Sequence, residues 1–121
     1  MKELFFTIVL LFLVQILQAK VYVEVSKTTF DENFIPTYTI KVSNTDSKTV
    51  SNVVVIFDFL YKGFSEKYES NYEHFERNLK VKVKPNGTKF VDVTIETPDR
   101  CEFHGIKLDK VRYTDGSGKI Y

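Results

Sequence analysis

The pattern of apolar and polar positions changes character once along the chain. From Leu4 to Val14 the residues are almost all apolar, and the run breaks at Gln15. Beyond Lys20 short alternations take over. VYVEV (Val21 to Val25) and YTIKV (Tyr38 to Val42) put every second side chain on one face, and LKVKV (Leu79 to Val83) does the same with its lysines outward. Successive side chains of a strand point to opposite sides of the pleat, so this period of two predicts strands with one buried face. VVVIFDFL (Val53 to Leu60) is apolar on both faces except at Asp58, as a central strand covered on both sides reads. Turn formers crowd SNTDSKTVS, from Ser43 to Ser51. Pro85-Asn86-Gly87 separates LKVKV from FVDVTIE (Phe90 to Glu96), so these two are expected to pair as a hairpin. IKL (Ile106 to Leu108) and VRY (Val111 to Tyr113) are one residue out of phase, which predicts a bulge near Asp109-Lys110 before TDGSG turns the chain into KIY. The expected class is all-β: an antiparallel immunoglobulin-like β-sandwich of about seven strands.

One segment departs from this period. Between Leu60 and Leu79 the aromatics Tyr61, Phe64, Tyr68, Tyr72 and Phe75 recur at spacings of three, four, four and three. At about 100° per residue they fall within an arc of roughly 80°, with Glu66, Glu69, Glu73 and Glu76 outside it. The spacing predicts one inserted amphipathic helix over about Ser65 to Arg77, with Ser65 as its N-cap and the glutamates on a solvated face. The five rings then have two readings. They are a core stripe packed on the sandwich, or a ligand-binding platform, because flat rings stack on sugar faces and anchor protein partners.

The ends and the composition set the compartment. Lys2-Glu3, the apolar run and the small Ala19 form the three parts of a secretory leader, and the run is short for a bilayer span. The expected division is a signal peptide over residues 1–19 and a β-sandwich domain over 20–121, with an uncleaved anchor as the alternative. A secreted, extracellular domain follows, with no stable membrane span after cleavage. Lys and Arg number 17 against 16 Asp and Glu, a net charge of +1, so no overall basic excess points to nucleic acid. Asn86-Gly87-Thr88 is an N-glycosylation sequon in an expected turn, and Asn86-Gly87 is also a good turn on its own account.

Candidate chemistry is sparse. Cys101 is the one cysteine and stands three residues from His104 in RCEFHG; residues i and i+3 of an extended chain point to opposite faces, so the two meet only across a bend. A zinc site would need further ligands, and His74 is the only other histidine. No G-x-S-x-G, H-E-x-x-H or glycine-rich phosphate loop is present. The expectation is therefore a protein that is not an enzyme and needs no cofactor or metal. A lone cysteine in a secreted chain also leaves open a disulfide-linked dimer through Cys101.

YTIKVSNTDSKTVSNVVVIFDF, together with VYVEVSKTTFDENF and KPNGTKFVDVTI, resembles the family 49 carbohydrate-binding modules, small secreted β-sandwiches found attached to cellulases. The likeness implies the same fold and polysaccharide recognition. Where those modules carry tryptophan, this chain has Phe30 and the Tyr/Phe segment. A weaker likeness runs to the lumenal domains of translocon-associated beta subunits, which would imply a role in a secretory-pathway complex. The function expected is a secreted, non-catalytic binding domain. It would recognise a polysaccharide or glycan through Tyr61, Phe64, Tyr68, Tyr72 and Phe75. The alternatives are a structural or assembly subunit with a protein partner, and a lumenal domain of such a complex.

Overall fold

The computed structural model describes residues 20–121; the expected leader, residues 1–19, lies outside the described residues. Seven strands follow in order: β1 (Val21–Phe30), β2 (Pro36–Asn44), β3 (Val50–Tyr61), β4 (Tyr72–Val83), β5 (Thr88–Thr94), β6 (Cys101–Tyr113) and β7 (Gly118–Ile120). They form two antiparallel sheets, β1-β2-β5 and β4-β3-β6-β7, packed face to face. The two sheets exchange the chain at β2–β3, β4–β5 and β5–β6, the Greek-key connectivity of an immunoglobulin-like sandwich in which the fourth strand stays beside the third.

The core lies where the inward positions of both sheets meet. Val53, Val55, Phe57 and Phe59 of β3 are wholly excluded from solvent, as are Ile40 and Val42 of β2. Burial of such a side chain contributes roughly 1.5–3 kcal/mol. Rings cross-link the layers: Tyr38 lies 5.7 Å from Phe57 and 4.5 Å from Phe103, and Phe59 meets Phe75 and Phe103 edge to face at 5.6 and 5.7 Å.

No α-helix occurs among the described residues, so the expected helix over Ser65–Arg77 is corrected. Residues 62–71 are a loop closed by a 3-10 turn at Glu69–Asn71, and from Tyr72 the chain is strand. The reason is the demand of β3. From Leu60↔Tyr72 to Val53↔Leu79 each residue of β3 finds a partner on β4, and a helix would leave that edge's backbone groups unpaired. Aromatics, histidine and asparagine are poor helix formers and the first two fit a pleated surface, so little local preference opposed this. The 3.6-like spacing arose by accident from an end of a strand, a loop and a new strand.

The expected hairpin between LKVKV and FVDVTIE is also corrected: β4 pairs with β3 and β5 with β2, so Lys84–Gly87 crosses between sheets. The turn itself is present. Gly87 N–H donates to the Lys84 carbonyl at 2.8 Å, and Asn86 takes a φ of 62° at the third position, the type II pattern with proline second. A Cβ on Gly87 would stand 2.8 Å from the Lys84 carbonyl oxygen. Buried Asn44 holds this corner. Its Nδ2 donates to the Lys48 and Val83 carbonyls at 2.8 and 3.0 Å, and its Oδ1 accepts from Asp46 N–H at 2.9 Å. Its backbone exchanges bonds with Asn86 and Gly87 at 2.7 and 3.0 Å.

The bulge expected near Asp109-Lys110 is present: Val54 opposes Lys110 and Val55 opposes Leu108, leaving Asp109 as the extra residue. A second bulge, at His104, lies between the Asp58↔Gly105 and Phe59↔Phe103 pairs. Both keep apolar residues inward, as Cys101 and Phe103, then Ile106 and Leu108, then Val111 and Tyr113.

Asn44→Ala strands two buried carbonyls and an amide at this corner, and is expected to cost about 1–3 kcal/mol. Urea unfolding followed by fluorescence measures it; a loss below about 0.5 kcal/mol would show that water replaces these bonds freely.

Candidate functional site

The β1–β2, β3–β4 and β5–β6 connections all emerge at one end of the sandwich, because Phe30↔Pro36, Leu60↔Tyr72 and Tyr61↔Cys101 end their ladders there. Two turns of similar build stand side by side at that end. Phe64 N–H bonds the Tyr61 carbonyl at 3.1 Å with Gly63 at φ 81°, and Cys101 N–H bonds the Pro98 carbonyl at 3.1 Å with Arg100 at φ 63°. Both have the positive φ at the third position that type II turns require. Lys62 N–H donates to the Arg100 carbonyl at 2.9 Å and locks the turns together. Between them lies a shallow cleft of about 710 Å³ walled by Tyr61, Lys62, Phe64, Asp99 and Arg100. It offers two rings in edge contact at 6.0 Å beside a carboxylate, a guanidinium and an ammonium.

The five rings singled out from the sequence do not share one face. Tyr61 and Phe64 line the cleft, and Tyr61 Oη donates to Glu73, which pushes its phenol pKa up. Phe64 and Tyr68 are 59% and 63% exposed on the β3–β4 loop. Tyr72 stands on the outer face of β4, stacked on His74 at 6.1 Å and edge-on to His104 at 5.2 Å, with its hydroxyl on the Glu66 carbonyl at 2.8 Å. Phe75 turns inward onto Phe59 and serves the core. The alternation of β4 separates Tyr72 from Phe75, which helical spacing would have joined.

Sequence reading missed Phe34. It is 84% exposed on the β1–β2 turn with φ 62°, a conformation bulky side chains rarely adopt. Asp31 enforces it by accepting Phe34 N–H on its carbonyl at 3.1 Å and Asn33 and Ile35 N–H on its carboxylate at 2.8 and 3.0 Å. An aspartate opening a run of turn residues was the available signal.

A second cluster lies on the outer face beside the loop. His74 Nδ1 is 2.5 Å from Asp58 Oδ1, and its Nε2 is 2.5 Å from Glu69 Oε1. Ionised carboxylates only accept, so both contacts are hydrogen bonds when the ring carries both of its protons, and the pair of them favours the imidazolium. The Asp58 bond raises the His74 pKa above its ordinary 6.5, burial opposes the rise, and the Glu69 bond adds to it. Glu69 belongs to the 3-10 turn, so this ion pair fastens the β3–β4 loop to the sheet. Lys107 Nζ, 3.8 Å from Asp58, also faces the cluster.

Cys101 and His104 lie on opposite faces of β6. Cys101 is 4% exposed inside the core, and burial, with Glu73 and Asp99 adding, pushes its thiol pKa up. His104 faces solvent against Tyr72. No thiolate–imidazole couple forms there. A disulfide to another chain would require the start of β6 to open. Asn86, exposed on the β4–β5 turn, projects from the opposite end of the sandwich, so a glycan on it would leave the cleft uncovered. Among the described residues no cluster of histidine, cysteine and carboxylates has metal-holding geometry, and no helix is long and apolar enough to cross a membrane.

Because the His74 pKa is raised on folding, its stabilisation is fully present below about pH 6.5 and is lost as the pH climbs through the higher folded value. An NMR titration of the His74 ring should give a midpoint above that of the unfolded chain, lowered by Glu69→Gln; an unshifted midpoint contradicts the ion pair. Cys101 should label with a bulky thiol reagent only in denaturant. Rapid labelling of native protein would place it at the surface.

No protein-family model matches the chain, and no curated protein matches it. Among solved structures, the trimeric lipoprotein SadB of Salmonella enterica superposes with a TM-score of 0.55 over 76% of this chain, at 15% sequence identity. The match covers 52% of the SadB chain, so this chain spans about half the length of that protein. The two share a fold.

Proposed function

We propose that this chain is a secreted, non-catalytic recognition domain that binds a polysaccharide at the loop end of its sandwich. The observation that supports it is the cleft at paired type II turns, where Tyr61 and Phe64 stand beside Asp99, Arg100 and Lys62. A sugar ring presents an apolar C–H face and a rim of hydroxyls. Rings answer the first, and charged donors and acceptors answer the second. The turns are cross-bonded, so little order is lost on binding. Tyr68, exposed on the same loop, extends the aromatic surface, and Phe75 has no part in it.

A protein partner is the second reading, and Phe30 and Phe34 favour it. They are 64% and 84% exposed on the β1–β2 turn at the same end, with Asp31 and Glu32 between them in the chain. Exposed apolar residues grouped at loops mark interaction surfaces.

Retention of the purified protein on insoluble cellulose and chitin tests the first reading. Native protein should be held, and Phe64→Ser with Tyr68→Ser should lower affinity at least about tenfold with the thermal midpoint unchanged. Equal retention of native and variant protein would remove the cleft from the reading. No retention of either, with Phe34→Ser abolishing capture of a protein partner, would favour the second.

A further inference from the structure

The register writes out the outer face of the four-stranded sheet. Arg112, Lys110 and Lys107 of β6 stand opposite Asn52, Val54 and Ile56 of β3, and Lys80 of β4 stands opposite Asn52 from the other side. Lys107 and Lys110 are three residues apart, and an unbroken strand would send them to opposite faces. The bulge at Asp109 restores the phase and brings them to one side. The cations thus follow β3 at two-residue steps, about 7 Å each, and Lys80 lies two strands from Arg112, about 10 Å away. No carboxylate comes within 4.0 Å of Lys80, Lys110 or Arg112 among the described residues, and Lys107 meets one, Asp58, at 3.8 Å.

The row borders an open trough. Gly118 faces Arg112 with no side chain, β7 is only three residues long, and the hollow measures about 610 Å³. Its floor is half-buried Val54, with the Asn52–Asn78 amide pair at 2.8 Å beside it, and Ile56 continues the apolar strip. The whole chain carries a net charge of only +1, so this line of cations is a local arrangement, and it ends at Lys107 beside two carboxylates, Asp58 and the Glu76 that stands opposite Ile56.

We propose that this face binds a linear acidic polysaccharide, with carboxylates or sulfates along Arg112, Lys110 and Lys107 and sugar faces over Val54 and Ile56. Guanidinium and ammonium groups recognise these anions directly, and Arg112 can do so in two-point fashion. The aliphatic floor suits sugar rings. Single-stranded nucleic acid instead needs aromatic side chains for its bases, and these rows hold none. The site lies away from the Tyr61–Phe64 cleft and stands whether or not that cleft holds a neutral polymer.

Columns of heparin, polygalacturonate and neutral dextran test it with the purified protein. Native protein should be retained on the two acidic polymers, released by added salt, and pass through dextran. Lys110→Gln with Arg112→Gln should weaken binding about tenfold or more. Lys27→Gln with Lys89→Gln removes the same charge from the other sheet and should change binding by less than about twofold. Thermal melts confirm folding, and Lys110→Gln alone, with a weakening of about threefold, carries the test if the double variant melts early. Passage of native protein through both acidic columns overturns the proposal, as does equal weakening by the control pair. Equal retention on a single-stranded oligonucleotide, lost in the same variant, overturns the choice of polysaccharide.

Discussion

Strand β3 is the constraint on which the rest depends. Its inward side chains, Val53 to Phe59, are fully buried, and its backbone pairs along its length with β4 on one side and β6 on the other. A strand this apolar cannot sit at an edge, because an uncovered ladder leaves backbone groups unpaired and apolar surface wet. Two long partners are therefore obligatory. The demand outweighs the weak helical spacing after Tyr61 and recruits Tyr72–Val83 as β4. It also places Asp58 on the outer face within reach of His74 and Lys107. Asp58, the one polar residue of the run Val53 to Leu60, is in this way the centre of the surface ion-pair cluster.

The partner strand β6 adapts to β3 by bulging. Its apolar residues change phase twice, and each change costs one unpaired residue, His104 and Asp109. The same two defects shape the surface. One turns His104 outward to Tyr72 and leaves Cys101 beneath in the core. The other lines up Lys107, Lys110 and Arg112 on one face. A correction that keeps the core dry thus decides which polar groups stand together outside.

The two ends of the sandwich are built differently. At one, buried Asn44 draws the β2–β3 loop, the end of β4 and the β4–β5 turn onto one side chain and its backbone. At the other, backbone bonds tie turn to turn, and aromatic side chains are left facing water. The first arrangement secures the crossing between sheets. The second holds a preformed cleft, with Arg100 and Phe34 kept at positive φ by their surroundings.

Several features were legible in the sequence alone. Period-two alternation marked the core faces of β1, β2 and the second half of β4, because a pleat exposes alternate residues to different surroundings. The continuous apolar run marked β3 as central in its sheet, but the expected cover on both sides is corrected: only the inward face is covered, and Val54 and Ile56 are half-buried on the outer one. The phase slip before Val111 located a bulge, and the same count from Phe103 to Ile106 would have found the other. Pro85-Asn86-Gly87 identified a turn but not what it joined, since a hairpin and a crossing between sheets use the same turn residues and the same alternation. Only tertiary pairing decided that β4 belongs to β3 and β5 to β2. Tertiary pairing also scattered the five rings of the aromatic segment among cleft, loop, outer face and core, assembled the cleft from residues far apart in the chain, and brought Lys80 of β4 to the cation row of β6. Local pattern reports which side of an element is buried; which elements lie together is set by competition among edges for partners, and no single segment carries that information.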